Sequence, residues 1–445
     1  MKQARKQLIF HRDRKKNYPM IDRGEGIYLY DEQGKAYLDA SGGPLVVNIG
    51  HGVPEVIEAM RRQAEKVCFP YSAHFVTQSQ IDFAAEVIKM APPNMTKVYP
   101  VSGGSEATEI AVKMTRQYFL GRGEPERTKI ISRWQSYHGA TLGALSVGGH
   151  TLYRQDYLPL LLNMPHIPAP YCYRCPFEKE YPGCELVCAR CLERAIKDEG
   201  KSSIAAFIVE PMTGGTLGAL TPPPEYFHII KDICERYGVL LIVDEVITGF
   251  GRTGANFGID HYRVQPDLIV TAKGASSGYA PLGSVIISEK VSEVFETKRT
   301  GFQLGYTFSG NPVSCAVGAA VLRYIAKHDL VTRAQNLGEY LFDRFERLKE
   351  IPLVGDIRGK GLLLGIELVK DKKSKTPFAR NLKLAETITA RALAQGLIIM
   401  PGHGFKDDLT GDILMIAPPF IVREEEIDKI ADKLAAIIQM CSEKI

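Results

Sequence analysis

The sequence has no apolar run of the ~20 residues that a helix needs to cross a bilayer. It also has no signal-type apolar segment near its start, no internal repeat and no low-complexity stretch. Surplus charge is small, because 55 Lys and Arg face 51 Asp and Glu, a formal +4 over 445 residues. The balance removes the basic surplus on which nucleic-acid and membrane-surface binding rest, so neither partner is expected. A cytoplasmic chain is the expectation. The basic residues that do bunch (Lys2, Arg5, Lys6, Arg12, Arg14, Lys15, Lys16) include no serine among them, unlike a mitochondrial targeting segment, and read as a solvated arm.

With 45% hydrophobic residues the chain can build a large core. Its nine cysteines are expected as reduced thiols. Five lie close together: Cys172, Cys175, Cys184, Cys188 and Cys191. The first pair and the last pair are both C-x2-C, which suits zinc, but the gap between them is shorter than in most zinc ribbons and the segment carries Pro176 and Pro182. The cluster reads as packed or redox-active thiols, and no metal is assigned.

The middle of the chain alternates strand-like and helix-like stretches. Short Val- and Ile-rich runs fall at Lys97–Pro100, Lys129–Ser132, Ile204–Val209, Val239–Val243, Leu268–Thr271 and Ser284–Ser288. Between two of them, Thr221–Gly238 reads as a helix from an N-cap threonine to a C-terminal glycine, with Phe227, Ile230, Ile233 and Cys234 on one face. This βαβ rhythm predicts a mostly parallel sheet between helices. The ends differ. Gly26–Asp39 reads as a hairpin turning at Asp31–Gly34, and beyond residue 325 come a helix, a hairpin around Val354–Val369, a helix ending near Gly396 and a last helix from Glu424. The expected organisation is an N-terminal part of a small domain (1–60), a large domain (61–325) and the C-terminal part of the small domain (326–445).

Three segments carry chemistry. Ser102-Gly103-Gly104-Ser105-Glu106 follows a strand and opens a helix, so its backbone N–H groups and the helix N-terminus favour a phosphate. Asp244-Glu245 ends the very apolar run Leu240–Val243, where acids need compensation. Lys273 follows the strand Leu268–Thr271, and a lysine in such a crevice is a good nucleophile when its amine is desolvated. The run Gly249-Phe250-Gly251-Arg252-Thr253-Gly254 fits the G-x-G-x-x-G spelling of a dinucleotide loop but opens no βαβ unit, so that reading is rejected. Together the three segments fit control of a phosphorylated pyridine aldehyde, which needs a phosphate cradle, a carboxylate at the ring nitrogen and a lysine amine.

The ordered series SGGSEATE (102–109), YHG (137–139), EP (210–211), DEVITGFGRTG (244–254), AKG (272–274) and YTFSGNP (306–312) resembles the class III aminotransferases of the pyridoxal-phosphate fold-type I group. YLDASGGPLVVNIGHG (37–52) and RGKGLLLGIEL (358–368) extend the resemblance over nearly the whole chain. It implies an α/β fold with a large, mostly parallel sheet between helices and a smaller α+β domain built from both chain ends. It also implies pyridoxal 5′-phosphate as a Schiff base on Lys273, with Lys273 shuttling a proton. Asp244 is expected at the pyridinium nitrogen, Tyr137 and Val246 against the two ring faces, and His138 beside them. Gly104 and Ser105 are expected on the phosphate, Thr307 on the phosphate of a neighbouring subunit, and Glu210 near Asp244. A homodimer follows.

The resemblance also bears on substrate. Relatives acting on α-amino acids carry an arginine before the Pro-Pro of the C-terminal part; here Met415 precedes Pro418-Pro419. Leu45 and Phe75 fall where relatives acting on ω-amino acids and amines line the pocket, and Lys406 is the expected cation for a substrate carboxylate. The reading is transfer of an amino group from an amine or ω-amino acid to a keto acid, pyruvate by preference. A decarboxylase or aminomutase on the same residues is the alternative, and a non-catalytic regulator is disfavoured because no segment is left for a DNA-binding module.

Overall fold

The computed structural model describes residues 8–13, 16–297, 301–402 and 411–443. Its largest sheet is built from β4 (Met95–Val101), β5 (Lys129–Arg133), β6 (His166–Ile167), β7 (Ile204–Val209), β8 (Leu240–Asp244), β9 (Leu268–Thr271) and β10 (Gly283–Ser288). The spatial order is β4-β10-β9-β8-β7-β5-β6, and β10 alone runs against its neighbours. The mostly parallel sheet expected from the sequence is therefore present. The two-residue strand β6 had no pattern long enough to reveal it.

Strand alternation assigns the two faces of this sheet. Leu240, Ile242, Leu268 and Val270 pack with Ala107, Ile110, Ala111 and Met114 of the helix Gly104–Gly121. Leu241, Val243, Ile269 and Phe207 pack on the other side with Phe227, Ile230 and Ile233 of the helix Tyr226–Tyr237. Every residue of β7, β8 and β9 is buried, as a strand covered on both faces requires. The second of these helices begins at Tyr226 rather than Thr221. Pro222, Pro223 and Pro224 donate no backbone hydrogen bond and bias their predecessors to extended backbone, so the helix waits until they are past. It ends as expected on Gly238, in the left-handed region at φ 62°.

Two four-stranded sheets complete the fold among the described residues. β1 (Ile21–Glu25), β2 (Tyr28–Asp31) and β3 (Ala36–Asp39) form an antiparallel meander, and β13 (Leu397–Ile398) joins β3 in parallel. The turn before β3 is fixed by Asp31, whose Oδ1 accepts the N–H groups of Gln33 and Lys35 and whose Oδ2 accepts the Tyr37 hydroxyl. The other sheet runs β11 (Val354–Lys360), β12 (Leu363–Leu368), β15 (Ile413–Ile416) and β14 (Met400–Gly402). Strands β13 and β14 escaped the sequence pattern because they hold only two and three residues.

Arg252 ties these parts together. It has no exposed surface; Nη1 donates to the carbonyls of Leu362 (3.0 Å) and Pro418 (2.6 Å), and Nη2 to Asn48 Oδ1 (2.7 Å). The guanidinium also lies 4.7 Å from the centre of the Phe420 ring. One side chain thus holds the N-terminal segment, the β11–β12 turn and the stretch before the last helix against the loop after β8. Replacing it with leucine (Arg252→Leu) leaves these acceptors buried and unpaired, each costing about 1–3 kcal/mol. Urea unfolding of Arg252→Leu should show a loss of ~3 kcal/mol or more.

Candidate active site

The carboxyl ends of β8 and β9 meet a cavity of about 190 Å³ lined by Gly104, Ser105, Tyr137, His138, Asp244 and Lys273, among others. Such a crevice at the strand ends of an open parallel sheet is where α/β folds place ligands. Of the residues expected from sequence, Glu210 and Val246 line it too. Segments separated by up to 169 positions converge there because adjacent strands deliver them.

β8 and β9 pair in parallel with Asp244 opposite Val270, so Lys273 emerges three residues past the partner of Asp244. Lys273 takes φ 40°, a left-handed value that a side-chain-bearing residue seldom holds. Burial draws its amine down from the ordinary lysine value to about 8; Asp244 and Glu210 oppose this and Arg252 reinforces it. At neutral pH a useful fraction of the amine is therefore unprotonated and nucleophilic.

The neighbouring acids point to opposite faces of the strand end. Asp244 Oδ2 lies 2.7 Å from His138 Nδ1, and Oδ1 accepts the N–H of Val246 at 3.0 Å. Glu245 turns away from the cavity and accepts the N–H groups of Gly258 and Ile259, both at 2.8 Å, and the Thr248 hydroxyl. Burial lifts the Glu245 carboxyl to about 7, against the pull of these donors. The compensation demanded of Glu245 thus comes from backbone donors and not from a cation.

Behind Asp244, Glu210 is buried, and burial raises its carboxyl above the usual range while His138 and Arg133 oppose the shift. Arg133 stands 3.6 Å from Glu210 Oε2 and donates to the Glu210 carbonyl at 2.7 Å. Sequence reading missed Arg133, although a lone cation ending the apolar strand β5 was a usable signal. It missed Met212, Ile247 and Gly139 of the lining as well. Their apolar or small side chains carry no chemical mark.

The cradle fits an anion. The helix Gly104–Gly121 has no side-chain cap on its first turn, and Gly104 lies against Val246 and Ala272, where an added Cβ would come within 3.2 Å and 3.5 Å. Ser105 Oγ accepts the N–H of Ala140 at 3.0 Å, which fixes its position beside the helix start. His138 Nε2 is buried without a hydrogen-bond partner. An uncapped helix N-terminus, a carboxylate and a depressed lysine amine around one cavity match what a phosphorylated pyridine aldehyde requires.

Other expected residues fall elsewhere. Leu45 is buried in a cluster with Met212, Ile413 and Met415, so it backs the cavity wall and does not line it. Phe75 is exposed beside His74, and Thr307 borders a separate groove with Tyr71, Ser72 and Tyr99; neither lines the Lys273 cavity within one chain. Lys406 lies outside the described residues. The clustered cysteines are all free thiols, with Cys184 and Cys188 buried and Cys172 exposed. Among the described residues no three His, Cys, Asp or Glu side chains are arranged to hold a metal ion, and no helix is long and apolar enough to cross a membrane.

Since the neutral amine is the reacting form, acylation of Lys273 in the ligand-free chain should rise through pH ~8 and level off above it, well below the range of solvated lysines. Pulse labelling with an amine-reactive ester, read by mass spectrometry, measures this; a midpoint near 10.5 would contradict the burial of the amine.

The geometry agrees with comparisons to known proteins. The family model for aminotransferase class-III matches residues 9–438. The uncharacterized aminotransferase YodT of Bacillus subtilis is 36% identical over 93% of this chain and 93% of its own. An adenosylmethionine-8-amino-7-oxononanoate aminotransferase of Geobacter sulfurreducens is 33% identical over 93% of this chain and 90% of its own. The crystal structure of an (S)-enantioselective omega-transaminase from Thermomicrobium roseum superposes with a TM-score of 0.92 at 37% identity, covering 98% of this chain and 97% of that one. A family match across nearly the whole length, on a fold-type I architecture whose strand ends converge on Lys273 and Asp244, leads to one conclusion: the chain belongs to the class III aminotransferases, which are pyridoxal-phosphate-dependent transaminases.

Proposed function

We propose that the enzyme moves an amino group from an amine or ω-amino acid to a keto acid, with pyruvate the preferred acceptor, and that Lys273 holds the cofactor through its amine. The observation that carries this reading is the depressed Lys273 amine sharing one cavity with Asp244 and the uncapped helix start at Gly104. When bound, pyridoxal phosphate supplies an electron sink for the substrate carbon that loses its proton. The chain's own groups do the rest. Lys273, close to half unprotonated at pH 8, takes the proton from the substrate carbon and returns it. Asp244, oriented by His138 and the Val246 N–H, holds negative charge where the ring nitrogen needs a proton. Tyr137 and Val246, both in the lining, would bound the cofactor ring, and Gly104 and Ser105 would offer its phosphate donors.

The active unit is proposed to be a homodimer. Thr307 and Phe75 lie away from their own chain's cavity, as residues serving a neighbour's site would. The wall formed by Met212 and Ile247, backed by Leu45 and Met415, is apolar, which favours donors whose amine is distant from any carboxylate. Burying an unpaired carboxylate there costs several kcal/mol.

Lys273→Ala should abolish transamination while the protein stays folded and keeps some cofactor through the phosphate cradle. Asp244→Asn should lose ~100-fold or more in kcat, since the amide supplies no charge; an unchanged rate would remove Asp244 from the role. Incubation of a simple amine, an ω-amino acid and ornithine with pyruvate, followed by alanine assay, tests the substrate reading. Fast reaction at the α-amino group of ornithine defeats it, and carbon dioxide or a rearranged amine in place of alanine points to the decarboxylase or aminomutase alternative.

A further inference from the structure

Among the described residues lining the cavity, Lys273 is the only Lys or Arg, and two carboxylates, Asp244 and Glu210, share the space with it. Their closeness follows from strand register. β7 and β8 pair in parallel with Val209 opposite Val243, and Glu210 comes directly after the one, Asp244 directly after the other. Both are buried. Neighbouring buried carboxylates repel, and one takes up a proton unless each has a cation or donor of its own. Asp244 has the His138 ring at 2.7 Å and the Val246 N–H at 3.0 Å. Glu210 has Arg133.

Arg133 ends β5, the strand on the far side of β7 from β8, and has no exposed surface. Its Nη2 donates to the Glu210 carbonyl at 2.7 Å and stands 3.6 Å from Glu210 Oε2, while Nε and Nη1 have no hydrogen-bond partner. Among the described residues Glu210 is the only carboxylate with which it forms an ion pair. A guanidinium keeps its proton even when buried, so a neutral Glu210 would leave this cation uncompensated. Burial works against the charge of Glu210 and Asp244 adds to that, whereas His138, Arg133 and the Tyr137 N–H favour it. Oε2 accepts no hydrogen bond, so there the guanidinium's charge is what stabilises the anion.

We propose that Arg133 is a positioning residue of this active site, which keeps the Glu210 carboxylate ionised so that Lys273 faces two negative charges instead of one. Burial alone drives lysine amines down toward ~5–6. At Lys273 burial is opposed by Asp244 and Glu210 and aided by Arg252, and the amine stands at about 8. A much weaker amine would still add to an aldehyde but would be a poor base for the proton of a substrate carbon. That consequence rests on the transaminase reading above; the charge pair itself rests on register and distance.

The pH dependence of Lys273 acylation in the ligand-free full chain reads the amine directly. Glu210→Gln, which keeps the shape and removes the charge, should lower the midpoint by ~1 pH unit or more. Arg133→Gln should lower it similarly, because Glu210 then takes up a proton, although loss of a nearby cation would by itself raise it. The double variant should match Glu210→Gln within ~0.3 pH unit. Arg133→Lys should return the midpoint toward wild type, because the charge is retained. A midpoint unchanged in Glu210→Gln, or unchanged or raised in Arg133→Gln, would overturn the proposal. So would a double variant well above Glu210→Gln, which would show Arg133 acting on the amine directly. Should Arg133→Gln fail to fold, infrared difference spectra of wild type and Glu210→Gln at neutral pH decide, with the Glu245 contribution cancelling. No protonated-carboxyl band should vanish with the glutamate, and loss of one means that Arg133 does not hold Glu210 ionised. Failure of the wild-type holoenzyme to make alanine from pyruvate would overturn the functional reading alone, since the labelling uses neither cofactor nor substrate.

Discussion

The parallel pairing of β8 with β9 is the constraint from which the site is built. With Asp244 opposite Val270, Lys273 follows three residues past that partner, so carboxylate and amine come off the same end of neighbouring strands. A slip of one residue would exchange the faces of Asp244 and Glu245 and send the Asp244 carboxylate toward Gly258 and Ile259. Register is held by burial. Leu240 and Ile242 face one core, Leu241 and Val243 the other, and a shift would mismatch both at once.

Around that register, each buried charge is compensated differently, and the difference separates chemistry from support. Glu245 is satisfied by three donors of its own chain, so it has nothing left to offer a ligand. Arg252 spends both terminal nitrogens on carbonyls and Asn48. Glu210 is only partly relieved by Arg133, since the oxygen facing that guanidinium accepts no hydrogen bond. His138 contacts Asp244 through one nitrogen and leaves the other unpaired. Of the buried polar atoms left without a hydrogen bond, those of His138 and Glu210 belong to residues lining the cavity, where a bound group can complete them.

What could be read beforehand followed from local chemistry. Strands β5 and β7 to β10, the helix after Ser102, and Lys273, Asp244, Gly104 and Ser105 carried their own marks: hydrophobic runs, glycines, or charged groups at strand ends, whereas Tyr137, His138, Glu210 and Val246 were expected only from the resemblance to the class III family. Convergence was harder to read. Nothing local to Arg252 announces that its partners are Val47, Asn48, Leu362 and Pro418, up to 205 positions away. Arg133 and Met212 reach the site through the sheet order, which no single segment encodes. The start of the helix at Tyr226 was misjudged because Thr221 looked like a cap, while the three prolines that follow keep the chain extended.

The strand β13 has a consequence for the making of the protein. Residues 36–39 are synthesised early, yet one edge of that strand is covered only by Leu397 and Ile398, and the Ala40 carbonyl waits for the N–H of Ala417. Until nearly nine-tenths of the chain has left the ribosome, the meander at the front keeps an open edge able to pair with another nascent chain. Such long-range closure slows folding, because the loop entropy is lost before the contacts that offset it can form. Translation order thus sets a vulnerable interval for this enzyme, which ends only when its last fifty residues arrive to close the first sheet.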